Sequence, residues 1–155
     1  MIYNKNSAIA EVNGSAEYPE IHGYVSFDET NKGVMVTAAV KGLPYGKDCK
    51  SGIFGLHIHD GTSCTGNSTD PFADANGHYN PKNCPHPYHA GDLPPLFGNK
   101  GSAYMSVITD RFTIKEIINH VVIIHKNPDD FTTQPSGNSG EKIACGKIVA
   151  FESNS

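Results

Sequence analysis

Short apolar runs with a loose period of two, each closed by a turn signal, open this chain. Ala8-Ile9-Ala10-Glu11-Val12 stops at Asn13-Gly14. Ile21 to Phe27 stops at Asp28-Glu29-Thr30-Asn31-Lys32-Gly33, which reads as a hairpin-like turn. Val34 to Val40 stops at Lys41-Gly42-Leu43-Pro44. A period of two predicts strands, because residues i and i+2 share a face. Further strands are expected at Ile53 to His59, Ala103 to Thr109, His120 to His125 and Lys142 to Phe151, with a short turn at Ile114 to Ile118. Two stretches, Asp60 to Gly101 and Lys126 to Glu141, are rich in Gly, Pro, Asn and Asp and show no period. Long irregular segments in a compact domain are usually functional or disordered.

Composition fits that pattern. A chain of 155 residues predicts one domain spanning 1–155. Sixteen glycines, ten prolines and no Trp favour an all-β protein over a helical bundle. The net charge of −4 and the lack of a basic patch argue against nucleic acid as a partner. No apolar run is long enough for a membrane span. Met1 to Ser7 is polar and lacks the basic and apolar regions of a leader, so the expected location is cytoplasmic, or that of an exported mature form whose leader is gone. Four cysteines, Cys49, Cys64, Cys84 and Cys145, allow three full pairings, and spacing does not choose among them.

The histidines carry the chemistry. His57 and His59 sit two apart on an expected strand, so both reach one side of it. His78, His86, His89 and Asp92 follow in the first irregular stretch, and His125 ends the apolar run Val121-Val122-Ile123-Ile124. A lone H-x-H is more often a surface pair. Six imidazoles and one carboxylate suffice for two metal ions that share a ligand. Three ring nitrogens and one carboxylate oxygen, from His78, His86, His89 and Asp92, suit tetrahedral zinc. An imidazole-rich set such as His57, His59 and His125 suits copper. His22 and His120 fall outside both sets and read as surface or strand-end residues.

Gly55-Leu56-His57-Ile58-His59, Gly77-His78-Tyr79-Asn80-Pro81, His89-Ala90-Gly91-Asp92-Leu93, Val122-Ile123-Ile124-His125 and Gly137-Asn138-Ser139-Gly140-Glu141-Lys142-Ile143-Ala144-Cys145-Gly146 together resemble the copper/zinc superoxide dismutases. The motifs run in the family's order from about Ala8 to Phe151, nearly the whole chain. The resemblance implies an eight-stranded Greek-key β-barrel or sandwich with two long functional loops. It implies copper on His57, His59, His78 and His125, and zinc on His78, His86, His89 and Asp92, with His78 bridging. It implies that Asp129 links a ligand of each metal and that Cys64 pairs with Cys145. Cys49 lies well before His57 along an expected strand while Cys84 lies among the metal-loop residues, so strand length makes a bridge between these two unexpected. It implies dismutation of superoxide to oxygen and hydrogen peroxide, with His78 and Lys142 as the catalytic side chains.

The chain departs from the family in places. Lys142 stands where the family usually has Arg, keeping the charge but losing the planar donor fork. Lys126 is a second candidate for local positive charge. The short stretch from His57 to Cys64 resembles bacterial members, and it shortens the segment that animal members use to dimerise. Superoxide, a second copy of the chain and a copper-delivery protein are the partners the resemblance implies. A copper store or decoy with little turnover, on the same fold, is the rival reading.

Overall fold

The computed structural model describes residues 6–151. Alternation becomes structure in the first three strands: β1 (Ser7–Gly14), β2 (His22–Thr30) and β3 (Gly33–Lys41) pair antiparallel in sequence. Ala8, Ala10, Val12, Val25, Phe27, Val34, Val36, Ala38 and Val40 all point into one core. The β2–β3 turn is tighter than the sequence suggests. Pairing runs out to Thr30 opposite Gly33, leaving Asn31 and Lys32 at the tip. Asp28, Glu29 and Thr30 are polar yet extended, because their partners on β3 hold them there.

The chain then crosses over. β4 (Ile53–Phe54) and β5 (Leu56–His59) form one run broken at Gly55. β4 pairs with β6 (Leu96–Phe97), and β5 pairs with β8 (Val121–His125). With β7 (Ala103–Thr109) and β9 (Lys142–Ala150), the main sheet has seven strands in the order β5-β8-β9-β1-β2-β3-β7. β6 packs beside β7 at one edge and pairs with β4, which continues into β5 at the other, so the sheet curls toward closure. Counting β4 and β5 as one, eight strand runs make up the expected Greek-key barrel. β6 lies inside the stretch read from sequence as irregular; two residues are too short to show a period. Ile114–Ile117 forms a one-turn helix, α1, rather than a plain turn. Thr113 and Glu116 cap it reciprocally, each side chain taking a backbone N–H of the other.

Two strands break the in/out rule. Every residue of β5 and β8 is buried. Leu56, Ile58, Val122 and Ile124 belong to the barrel core. On the other face, Val121 and Ile123 pack with Phe72, Ala75 and Cys145, under the loop that the Cys64–Cys145 disulfide ties to β9. His57 stands opposite Ile123 and His59 opposite Val121, so both histidines lie on this covered outer face. The two long loops are therefore a second layer over β5 and β8, and the candidate site lies between layer and barrel. No helix among the described residues is long and apolar enough to cross a membrane.

Candidate metal centre

The loop histidines reach the strand histidines because the loop docks on β5 like an irregular strand. The Tyr79 N–H donates to the Ile58 carbonyl at 2.8 Å, the Ile58 N–H to Gly91 at 2.8 Å, and the Gly91 N–H to Tyr79 at 2.9 Å. These bonds set His78 beside His59 and Asp92 beside His57. Gly91 is required by the close approach: a Cβ there would collide with the Ile58 carbonyl oxygen. Tyr79 itself is buried and packs in the core, as expected.

Two groups of donors result, and both contain His78. One atom from each of His57, His59, His78 and His125 lies within 4.8 Å of the others, and the same holds for His78, His86, His89 and Asp92. Asp129 sits beside both. The His57 Nε2–H donates to Asp129 Oδ2 at 2.8 Å, and the His86 Nε2–H donates to Asp129 Oδ1 at 2.8 Å. Each ring therefore turns its Nδ1 lone pair inward. His57 Nδ1, His86 Nδ1 and His78 Nε2 are buried atoms with no hydrogen-bond partner. His86 Nδ1 lies 3.0 Å from Asp92 Oδ2 but is not aimed to bond it.

Backbone carbonyls fix the other rings. The His59 Nδ1–H donates to Asn76 at 2.8 Å, and the His125 Nδ1–H to Gly140 at 3.0 Å. A carbonyl only accepts, so both Nε2 atoms carry lone pairs, and they face each other at 3.2 Å. Two lone pairs at that distance repel unless a cation lies between them. His78 Nδ1 meets Asp92 Oδ1 at 2.8 Å and His89 Nδ1 at 3.1 Å, a second convergence of donors.

Electrostatics favour the neutral, ligating forms. Burial pushes the His57 imidazole down to about 4, against the opposing hydrogen bond to Asp129. Burial, with His57 nearby, pushes His125 down to about 3. Burial and the neighbouring His125 and His78 hold His59 well below its ordinary value. Burial raises the carboxyls of Asp92 and Asp129, but their histidine partners outweigh it and hold both below the usual carboxylate range. At neutral pH His57, His59 and His125 are uncharged and Asp92 and Asp129 are carboxylates, which suits divalent metals.

The loops are braced by further side chains, and two of them, Gln134 and Arg111, lie in none of the sequence motifs. Gln134 Oε1 accepts from the His86 N–H at 2.9 Å, and its Nε2–H donates to the His86 carbonyl at 2.8 Å. Arg111 Nη1–H donates to the carbonyls of Pro87 at 2.9 Å and His89 at 3.2 Å. The Asn80 amide clasps Cys84 through its N–H and carbonyl, both at 2.9 Å. Gly137 covers the Asp129–His86 bond: its φ is +70°, and a Cβ would collide with Asp129 Oδ1.

A cavity of about 380 Å³, lined by His59, His78, His89, His125 and Lys142 among others, opens over the donors. Lys142 is part of that lining, and Asp70 holds its ammonium at 2.7 Å. Lys126 does not line the cavity; it is exposed and lies 4.0 Å from Glu141. His22 and His120 stay outside both donor groups, His120 stacking on Tyr79 at 4.7 Å. Cys64 and Cys145 are bonded, with Cα atoms 5.7 Å apart, and Cys49 and Cys84 are free, as expected.

The family model for copper/zinc superoxide dismutases (SODC) matches residues 21–148. The chain belongs to the copper/zinc superoxide dismutase family. It is similar to superoxide dismutase (Cu-Zn) 2 of Aquifex aeolicus, with 32% identity over 144 residues, covering 83% of this chain and 80% of that protein. Superoxide dismutase (Cu-Zn) of Legionella pneumophila is 33% identical over 138 residues, covering 84% and 79%. The Escherichia coli K12 protein of that name is 34% identical over 140 residues, covering 81% and 78%. The matched span contains every donor of both groups, together with Asp129 and Lys142, so the site falls within the superoxide dismutase homology.

Proposed function

We propose that His57, His59, His78 and His125 hold copper, that His78, His86, His89 and Asp92 hold zinc, and that the protein dismutates superoxide there. The observation that carries this is the trio of buried, unpartnered nitrogens, His57 Nδ1, His86 Nδ1 and His78 Nε2, beside two groups of donors that share His78. Such atoms are costly to bury unless a cation meets them. When bound, copper supplies the one-electron exchange by which two superoxide anions and two protons become oxygen and hydrogen peroxide, and zinc supplies charge without changing redox state.

The side chains do the rest. Asp129 fixes the tautomers of His57 and His86 together, so one carboxylate orients a donor in each group. His78 has one nitrogen toward each group, and its Nε2 is the atom that takes up and returns a proton. Lys142 adds positive charge beside His59 and His125, where an anion enters. A copper store without turnover is the weaker reading, since a cavity lined by a lysine and four donor histidines provides an anion with access that storage does not need.

Metal analysis and a superoxide assay on the same preparation test this. About one copper and one zinc per chain is expected in the reconstituted protein. His57→Ala should abolish dismutation, and full activity in that variant would overturn the assignment.

A further inference from the structure

We infer that Asp70 competes with small anions for the Lys142 ammonium, and that this ion pair sets the anion affinity of the site; the inference rests on the function proposed above. Lys142 opens β9, and its Nζ reaches Asp70 Oδ2 at 2.7 Å and the Phe72 carbonyl at 3.4 Å. Among the described residues it is the only lysine or arginine lining the cavity over the donors. Asp70 lies outside that lining. An ammonium has three donors, and here two are taken up by groups of the disulfide loop. A carboxylate in contact cancels most of the cation's field a few ångströms away.

Asp70 is placed to keep this position. The Phe72 N–H donates to its Oδ1 at 3.0 Å, and its own N–H donates to Asn67 Oδ1 at 2.9 Å. Its carbonyl accepts from Asn67 at 2.9 Å and from Ala73 at 3.2 Å. The segment is tied to β9 by Cys64–Cys145, three residues beyond Lys142. Cation and carboxylate thus sit on two elements that are linked covalently. The Asp70 side chain is 38% exposed and that of Lys142 18% exposed, so water screens the pair and an incoming anion can displace it. Asp70 is a positioning residue here: it acts on the substrate only through the lysine.

The test uses the full chain loaded with copper and zinc, azide as the anion, and an optical titration. Four proteins are compared: the unaltered chain, Asp70→Asn, Lys142→Met, and the double variant. Asn keeps the acceptor for the Phe72 N–H. Azide should bind about threefold tighter to Asp70→Asn, on the scale of a screened charge several ångströms away. That gain should vanish in the Lys142→Met background, the non-additivity expected of residues in contact. Unchanged azide affinity in Asp70→Asn would overturn the inference. So would an equal gain in both backgrounds, since Asp70 would then be only a nearby negative charge. In metal-free protein, acetic anhydride should modify Lys142 faster in Asp70→Asn, with exposed Lys147 as internal standard; an unchanged rate would also overturn it. If the loaded, unaltered protein failed to dismutate superoxide, the proposed function would fall, while these two readouts would still decide the pairing.

Discussion

Gln134 grips His86 by its backbone at two points, giving an N–H to its carbonyl and taking its N–H in return. The two residues come from different loops and are 48 positions apart. The clasp fixes the donor through its main chain and leaves the ring to Asp129. Gln134→Ala should weaken zinc binding by about tenfold while copper affinity changes little. Competition with a chromophoric chelator measures both, and equal losses at the two metals would show that the clasp serves the loops in general.

Asp129→Asn should act differently. An amide accepts through one atom and donates through the other, yet His57 and His86 both present N–H groups. One ring must lose its partner or turn over. Copper and zinc affinity should both fall, by about 10- to 100-fold. Retention of both affinities, measured by the same competition, would deny Asp129 its orienting role.

Acid should loosen the metal-free protein in a defined window. His57 and His125 have folded values of about 4 and about 3, below the ordinary 6.5, mainly through burial. Between those values the unfolded chain binds more protons, so stability rises with pH there. The contribution is fully present above about 6.5 and is lost as pH falls toward 4 and then 3. The melting temperature of metal-free protein should drop steadily across that window. A flat profile from 6.5 to 4 would mean that the histidines are not buried uncharged.

The disulfide spans 81 residues and anchors the loop that covers Val121 and Ile123. Replacing Cys64 and Cys145 with Ser should cost the metal-free protein about 2–4 kcal/mol by denaturant titration. Lys142 should become more accessible as the loop that carries Asp70 loosens. A stability within about 0.5 kcal/mol of the parent would show that packing alone seats the loop.

Much of this molecule is legible in its amino-acid sequence. Strand positions follow from alternation, and β7 matches its expected bounds residue for residue. The donors stand out because each is a histidine or aspartate in a recognisable neighbourhood. The residues that the sequence hides share one physical character. Gln134, Arg111 and Asp70 act on backbone groups or on partners far along the chain; Asp70 and Lys142 are 72 positions apart. No local period or motif encodes such a contact, because the fold creates it. β6 is hidden for a related reason: its extended form is imposed by β4, not by its own two residues.

In β5, alternate residues answer to different masters: Leu56 and Ile58 fill the barrel, while His57 and His59 join the donor cluster. Inserting or deleting one residue there would exchange the two sets, sending imidazoles inward and aliphatic groups to the donor cluster. Evolution therefore cannot shift this strand to tune one property and spare the other. Length change must be confined to the loops, and the tetrapeptide Leu56–His59 can vary only by substitution in place.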